Sequence, residues 1–468
     1  MIKILKSIYS NVKACVRLSS EMNFSEFFDV TLGLKQGEPL SPILFILFIN
    51  DISTTLDFNK LTENDLNQLS MYMLLFADDI ALFTTDPNSL QAQLDIIYTY
   101  SEKWGLKINV QKTKICVFEK RRSHHDFNWF INGEQIEVVD HFKYLGDDCL
   151  YTGVMKNAVK VLSEQALKAY GSLLSLFTRV HIDVKTKLSL FDTMVVPILT
   201  YCSEVWGIYD FKETDKLHIK FCKTILGVRQ QTPNLAVYGE LGRFPLSVIC
   251  KQRTLKYWLK IMQNPNSPMY RIFIEQCNNS NDNCWAKSIK RLLDSLGYSD
   301  IWNNFDYNVK YLPMFKQRIC DQFIQNWRAS VQSMSKLDYY SKFKTEFCFE
   351  KYIDVLTNDG LRKELSCFRL SSHKLEIELG RFVGTVRNER ICKMCNLNCI
   401  ESEYHFLLCC PLYVDIRRKY FGNISWPTIQ KFVNILSSTY KKSMYNTAKY
   451  LKDAFKRRNE TLERIAAS

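Results

Sequence analysis

Residues 73–83 read MLLFADDIALF, and how that stretch is understood decides the fold. All but two of these residues are apolar, yet Asp78 and Asp79 stand side by side in the middle. A carboxylate withdrawn from water is costly unless a hydrogen bond, an opposite charge or a metal compensates it. Apolar runs over 71–77 and 80–83 predict two strands joined at the acidic pair. A tight turn of this kind is either a solvated surface turn or a rigid holder for a hard divalent cation. Carboxylates are the usual ligands of Mg2+, and strands would hold them still while the turn leaves them open to substrate.

Outward from the hairpin the pattern is mixed α/β. Upstream, GEPLSPILFILFINDI (37–52) offers Ser41 as an N-cap and Pro42 at the first helical position. The ILFILFI that follows has no polar face, so a helix buried on all sides is expected there. Downstream, 89–104 is helical by period, with Leu90, Leu94, Ile97 and Tyr98 on one face. ICVF (115–118) reads as a short strand, and Asn132-Gly133 between apolar runs is a two-residue hairpin signal.

After Gly146 the character changes. Val159, Leu162, Ala166, Tyr170, Leu173 and Phe177 recur in steps of three or four, and 150–380 reads as mainly helical. Asn-rich breaks fall at 264–268 and 277–284. The last 28 residues, 441–468, hold eight Lys/Arg against three Asp/Glu, a basic helical tail. There is no internal repeat and no low-complexity tract.

The chain has 468 residues, 46% hydrophobic and 24% charged, which is the composition of a folded protein with several domains rather than of a disordered one. Its net charge of +13 points to a polyanionic partner such as nucleic acid. No apolar run approaches the ~20 residues of a membrane span, so no membrane partner is expected. The N-terminus has no sustained apolar core of the signal-peptide kind, so the 16 cysteines are read as reduced thiols of a protein kept in the nucleus or cytoplasm and not secreted. The sequence leaves the oligomeric state open.

Five of the cysteines crowd into CKMCNLNCIESEYHFLLCCP (392–411): Cys392, Cys395, Cys399, Cys409 and Cys410, with His405 among them. Thiolates plus one imidazole at short spacing fit a four-coordinate structural Zn2+ site. If 405–409 is helical, Cys409 shares a face with His405 at i+4 and Cys410 does not. Cys410 precedes Pro411, however, and is pushed out of helical conformation toward a turn back to the metal. Cys399 reads as a bystander and His373 as structural. Arg381, Arg387, Arg390, Arg417, Arg418 and Lys419 surround the cluster as candidate phosphate contacts.

Several of these stretches together resemble a known family. GLKQGEPLSPILF (33–45), with its Q-G-x-x-L-S-P string, followed by FADD (76–79), is similar to reverse transcriptases of non-LTR (LINE-type) retrotransposons. Phe before Ala-Asp-Asp favours non-LTR or group II intron relatives over retroviral enzymes, which usually carry Tyr there. GLKINVQKTKICVF (105–118), FKYLG (142–146) and PILTYCSEVWG (197–207) resemble the elements that follow in that family. C-x2-C…H-x4-C knuckles followed by Pro occur near the C-terminus of such proteins, which favours Cys392, Cys395, His405 and Cys410 as ligands and argues against an intron maturase.

The resemblance implies RNA-directed DNA polymerase activity: two-metal nucleotidyl transfer with Mg2+ or Mn2+ at Asp78 and Asp79, and Lys112 beside the incoming triphosphate. Gln36, Gly37, Ser41, Phe76 and Asn109 would then line the nucleotide and template site. The implied partners are an RNA template, a DNA primer and deoxynucleoside triphosphates. The family carries a further catalytic Asp on a palm strand well upstream of Gln36. Asp29 lacks that context, the chain begins too late to include the strand, and the chain alone is expected to polymerise poorly or not at all.

The fold expected is α+β: a partial polymerase palm of antiparallel sheet with helices (1–148), a helical thumb-like region (149–250), a helical connection (251–380), a small zinc knuckle (381–425) and a basic helical tail (426–468). The rival function is a non-catalytic nucleic-acid-binding remnant that relies on the knuckle and the basic surface.

Overall fold

A computed structural model describes residues 2–17, 24–31, 33–35, 37–55, 73–119, 127–209, 212–278, 283–304, 307–423 and 426–467. The chain divides into two compact units, 1–115 with 122–139, and 116–121 with 140–468. Together they make a mixed α+β protein, mostly helical, with short two-stranded sheets.

In the first unit Met73–Phe76 pairs antiparallel with Asp79–Leu82, Met73 opposite Leu82 and Phe76 opposite Asp79. Only Ala77 and Asp78 form the turn, and Ala77 sits at φ 52°. Two-residue hairpin loops need positive φ where the chain reverses. An alanine held there carries about 1–2 kcal/mol of backbone strain. The start of the expected first strand, 71–72, lies outside the described residues.

Helix Pro87–Trp104 backs the hairpin. Asp86 caps it by accepting from the Ser89 amide at 2.7 Å, Pro87 supplies a preset first turn, and Gly105 ends it at φ 65°. Its buried face is Leu94, Ile97 and Tyr100, and Ile97 and Tyr100 cluster with Ile52, Met73 and Leu82. Tyr100 takes the inward place expected of Tyr98, and its hydroxyl donates to Asp51 at 2.6 Å. Asn132 and Gly133, both at positive φ, turn the hairpin of Phe130–Ile131 and Glu134–Gln135 as expected. The expected strand at 115–118 is shorter, Lys114–Ile115, and it pairs parallel with Glu137–Val138 where an antiparallel sheet was anticipated.

Helix Ser41–Phe48 corrects two expectations. Its N-cap is Leu40, so Ser41 is the first helical residue. It is also not buried all round: Ile43, Ile46, Leu47 and Phe48 are each more than two-fifths exposed, and Ser41 is its only buried residue. An apolar sequence is buried only where a second layer covers it, and among the described residues of this unit the cover is partial, as where Phe48 meets Trp104 at 5.5 Å between ring centroids.

The second unit is densely helical. Lys156–Arg179 buries Val159, Leu162, Ala166, Tyr170 and Leu173, the stripe read from the sequence. The break at 264–268 separates Leu246–Met262 from Pro268–Asn278. Of the second break, 279–282 lie outside the described residues. One continuous core runs from Ala166 and Phe191 through Phe221 and Trp327 to Phe406, Cys410, Tyr450 and Ala454. The stretch read as a basic tail is the helix Lys441–Ala467, which buries Met444, Ala448, Leu451 and Ala454 in that core. Arg369 is buried beside Glu240, also buried, and pairs with Glu350 at 2.9 Å. A buried guanidinium of this kind persists only because carboxylates on both sides compensate it.

Candidate functional site

Asp78 and Asp79 are both exposed, Asp78 in the turn and Asp79 at the head of the second strand. The hairpin around them is open as well, with Phe76 60% and Leu74 40% exposed. The apolar flanks therefore do not bury the acidic pair. They pair two strands beneath it and leave the carboxylates free for a ligand. Among the described residues no third carboxylate, thiol or imidazole lies close enough to join them in a metal-sized cluster. Asp29 sits in a different pairing, opposite Lys13, and the two side chains are 3.9 Å apart.

The loop before helix Ser41–Phe48 is internally tied. Ser41 Oγ donates to the Lys35 carbonyl at 2.8 Å, and the Tyr9 hydroxyl donates to Glu38 at 2.5 Å. Gly37 has φ 86° with open space around it, so conformation and not crowding demands glycine there. Gln36 lies outside the described residues. Asn109 accepts from the Lys112 amide at 3.1 Å, and its carbonyl takes the Thr113 hydroxyl at 2.9 Å, which orders the turn that presents Lys112 to solvent. The side chains of Ser41 and Asn109 are thus engaged in shaping their own loops.

In the second unit, Cys392, Cys395, His405 and Cys410 offer one donor atom each, all within 4.8 Å of one another. Three sulfurs and one imidazole nitrogen suit Zn2+, whose ~2.3 Å bonds to sulfur place tetrahedral ligands ~3.8 Å apart. Local backbone builds the site. The Cys392 amide donates to the Cys399 carbonyl at 2.8 Å and the Glu401 amide to the Arg390 carbonyl at 2.9 Å, closing a small loop that carries Cys395. The Met394 amide approaches Cys392 Sγ at 3.4 Å.

His405–Cys409 is a single π-turn, in which the Cys410 amide donates to the His405 carbonyl at 2.8 Å. A π-turn has an i to i+5 repeat, so it sets Cys410 over His405, where an α-turn would have set Cys409. Of the two adjacent cysteines it is Cys410, the one favoured in the sequence, whose sulfur joins Cys392, Cys395 and His405. Cys399 is exposed and outside the group, and Cys409 is outside it as well. The neighbouring Cys410 thiol, and then burial, push Cys392 up to about 12. A divalent cation reverses that balance by holding the sulfurs as thiolates.

Buried acids clamp the site from behind. Glu401 takes a bidentate pair from Arg458 at 2.7 and 2.6 Å. Glu403 accepts from His373 at 3.0 Å and from Ser371 at 2.9 Å. His373 is structural, as expected. Arg458, Glu401 and Glu403 were not singled out from the sequence. Their signal was two acids just ahead of His405 and the apolar run that follows it, an anomaly like that of Asp78 and Asp79.

Of the candidate phosphate contacts around the cluster, Arg417 and Arg390 need correction. Arg417 is buried and donates to the Leu407 and Cys410 carbonyls at 2.9 Å each. Arg390 donates to the Thr385 and Ile377 carbonyls. Arg381, Arg387 and Lys419 pair with Glu378, Asp338 and Asp453. Arg418 alone of the six is exposed and without an ion pair among the described residues.

This hairpin, its preceding Gly-Glu-Pro loop and its backing helix lie inside a recognised family segment: residues 2–148 match the family described as Reverse transcriptase (RNA-dependent DNA polymerase). Through this segment the chain is similar to that family, and relatives that match it are polymerases named from non-LTR retrotransposons. Among its relatives is the RNA-directed DNA polymerase from mobile element jockey of Drosophila melanogaster, 24% identical over 204 residues, 42% of this chain and 22% of the relative. The jockey protein of Drosophila funebris is 22% identical over 284 residues, 58% of this chain and 30% of the relative. The Retrovirus-related Pol polyprotein from type-2 retrotransposable element R2DM of Drosophila melanogaster is 27% identical over 233 residues, 46% of this chain and 20% of the relative. The chain thus spans less than a third of the length of these three relatives. Among the described residues no helix is long and apolar enough to cross a membrane, and all sixteen cysteines are free.

Proposed function

We propose that residues 2–148 serve RNA-templated DNA synthesis from a DNA 3′ end, with Asp78 and Asp79 as carboxylate ligands of Mg2+ or Mn2+. The observation that carries the reading is the pair of exposed carboxylates at the tip of a two-residue hairpin inside the reverse transcriptase segment. The cation, when bound, would favour ionisation of the primer 3′-hydroxyl and offset charge on the departing pyrophosphate. Asp78 and Asp79 would fix its position, because strand pairing immediately below restricts their backbone. Lys112, exposed on an ordered turn, would approach the triphosphate. Gly37 and Ser41 would shape the template side through the loop they hold, Gln36 would join them there as the resemblance implies, and Phe76 and Asn109 would border the nucleotide. Cys392, Cys395, His405 and Cys410 would hold a structural Zn2+ that fastens the loop of 392–410 into the helical core.

Two carboxylates supply only part of a two-metal clamp, and no third is close among the described residues. That observation favours, as the second reading, nucleic-acid binding without catalysis by this chain alone. Primer extension on an RNA template with Mg2+ tests the first reading. Whatever extension the chain supports must fall in Asp78→Asn, and extension that is unchanged by that substitution overturns the assignment.

A further inference from the structure

The long helix Lys441–Ala467 packs Met444, Thr447, Leu451, Ala454 and Arg458 inward. On another side Lys442, Lys449, Lys452 and Lys456 recur at intervals of seven, three and four residues, with Tyr445 in register and Lys441 beside it. Such intervals bring side chains onto one stripe of a helix. All five lysines are exposed. Among the described residues Lys441, Lys442, Lys449 and Lys452 have no ion pair, and Lys456 reaches only Glu460, at 4.0 Å. Other exposed lysines of this unit are matched, as in Lys185 with Asp354, Lys342 with Asp338 and Lys419 with Asp453, whereas Lys160, Lys168, Lys256 and Lys260 stand unpaired among the described residues but on two other helices.

The stripe continues onto neighbouring segments. Lys363, on helix Asp359–Arg369, is exposed, and its stem crosses Gly227 so closely that a Cβ there would lie 2.8 Å from Lys363 Cγ. Half-buried Glu364 feels the positive charge of both Lys363 and Lys452, and their two helices pack against each other. Arg229 follows in the next loop, where its amide donates to Ser372 Oγ at 3.0 Å. Exposed Lys374 comes two residues after Ser372, beside His373, which stacks on Phe455 of the long helix. The acids on this surface are half-buried Glu364 and, at the far end, Glu460 and Glu463. Asp453 is already engaged by Lys419 and Tyr420.

Like charges at these spacings repel and weaken a helix. A face kept only for solubility would mix signs, as its neighbours do. Lys442 to Lys456 spans ~21 Å along the axis, about six base-pair steps of duplex at ~3.4 Å each. No large apolar side chain is exposed between 441 and 456, so the face lacks the anchors of a membrane-binding helix. Tyr445 is fixed between Lys441 and Lys449 by contacts of its hydroxyl with Thr357 and the Val355 carbonyl, both at 3.3 Å, and a fixed ring among cations suits a sugar or base.

We propose that the stripe of Lys442, Lys449, Lys452 and Lys456, extended by Lys363, Arg229 and Lys374, binds the phosphate backbone of a nucleic acid. It shares with the proposed function only the class of partner and does not depend on the hairpin. The test is fluorescence anisotropy of the full chain with a short labelled DNA duplex and, separately, a single-stranded RNA, each across a potassium chloride series. Lys449→Gln/Lys452→Gln/Lys456→Gln is expected to weaken binding at least ~10-fold and to flatten the log–log salt slope by about 2–3. Its thermal midpoint should be unchanged or raised. The arm that responds identifies which nucleic acid occupies the stripe. A control triple at ion-paired lysines, Lys185→Gln/Lys342→Gln/Lys419→Gln, should move neither quantity. If the parent binds and the stripe variant keeps its affinity and slope, or loses no more than the control, this proposal falls while the nucleic-acid reading stands. A parent that binds neither probe overturns both.

Discussion

The carboxylate pair of the first unit and the thiol cluster of the second begin alike, as small polar groups set in apolar sequence, and end in opposite surroundings. Asp78 and Asp79 project from an exposed hairpin with two donors and no third nearby among the described residues. Cys392, Cys395, His405 and Cys410 converge to within 4.8 Å and share a core with Phe406 and Tyr450. Polar groups in oily sequence thus mark two different devices. One is held on paired strands and left open to solvent, and the other is closed by the protein's own chain. On the proposed reading the first would contribute to chemistry and little to stability, and the second would do the reverse.

The sharpest way to break this contrast is to remove one ligand of the closed site. Cys410→Ala should take the purified chain from one Zn2+ to almost none by elemental analysis, and it should destabilise the second unit most of all substitutions considered. Structural zinc sites contribute on the order of 10 kcal/mol in small domains. Cys409→Ala should keep its zinc. Retention by Cys410→Ala together with loss from Cys409→Ala would reverse the ligand assignment.

A smaller effect should come from His218, buried against Phe191 and accepting from Arg243 at 3.2 Å. Burial, then the Arg243 charge, push its pKa down to about 3. The folded state therefore keeps it neutral, while the unfolded chain protonates it below about 6.5. Its contribution is fully present above that pH and is lost as pH falls toward 3. The loss amounts to about 2 kcal/mol between pH 6.5 and 5. Urea midpoints across this range should fall less steeply in His218→Gln, and parallel slopes would remove the assignment. Smallest of all, Asp78→Asn should shift the unfolding midpoint by no more than about 0.5 kcal/mol, because an exposed turn residue has nothing to lose on neutralisation. A large loss of stability there would mean that the open site is structural after all.

These contrasts also explain what could be read from the sequence. The hairpin was legible because two apolar runs around two acids leave few other arrangements. The stripe of Lys156–Arg179 was legible because its period survives in the packing. Helix Ser41–Phe48 was misjudged because hydrophobicity says what a residue prefers, and not whether a second layer is there to cover it. Cys410 was favoured through Pro411 and the resemblance, but counting at the α period pointed to Cys409, because it cannot anticipate the i to i+5 bond of a π-turn. Arg417 and Arg369 looked like any other cations, since a sequence does not say which guanidinium finds its partners inside. In the case of Arg369 the partner Glu240 is 129 positions away.

Primer extension by this chain on an RNA template with Mg2+ tests the central claim most directly. With two carboxylates on the hairpin and no third within reach among the described residues, the account predicts marginal extension at best, reduced further by Asp78→Asn. Robust extension by the chain alone, abolished by Asp78→Asn, would contradict the incomplete clamp.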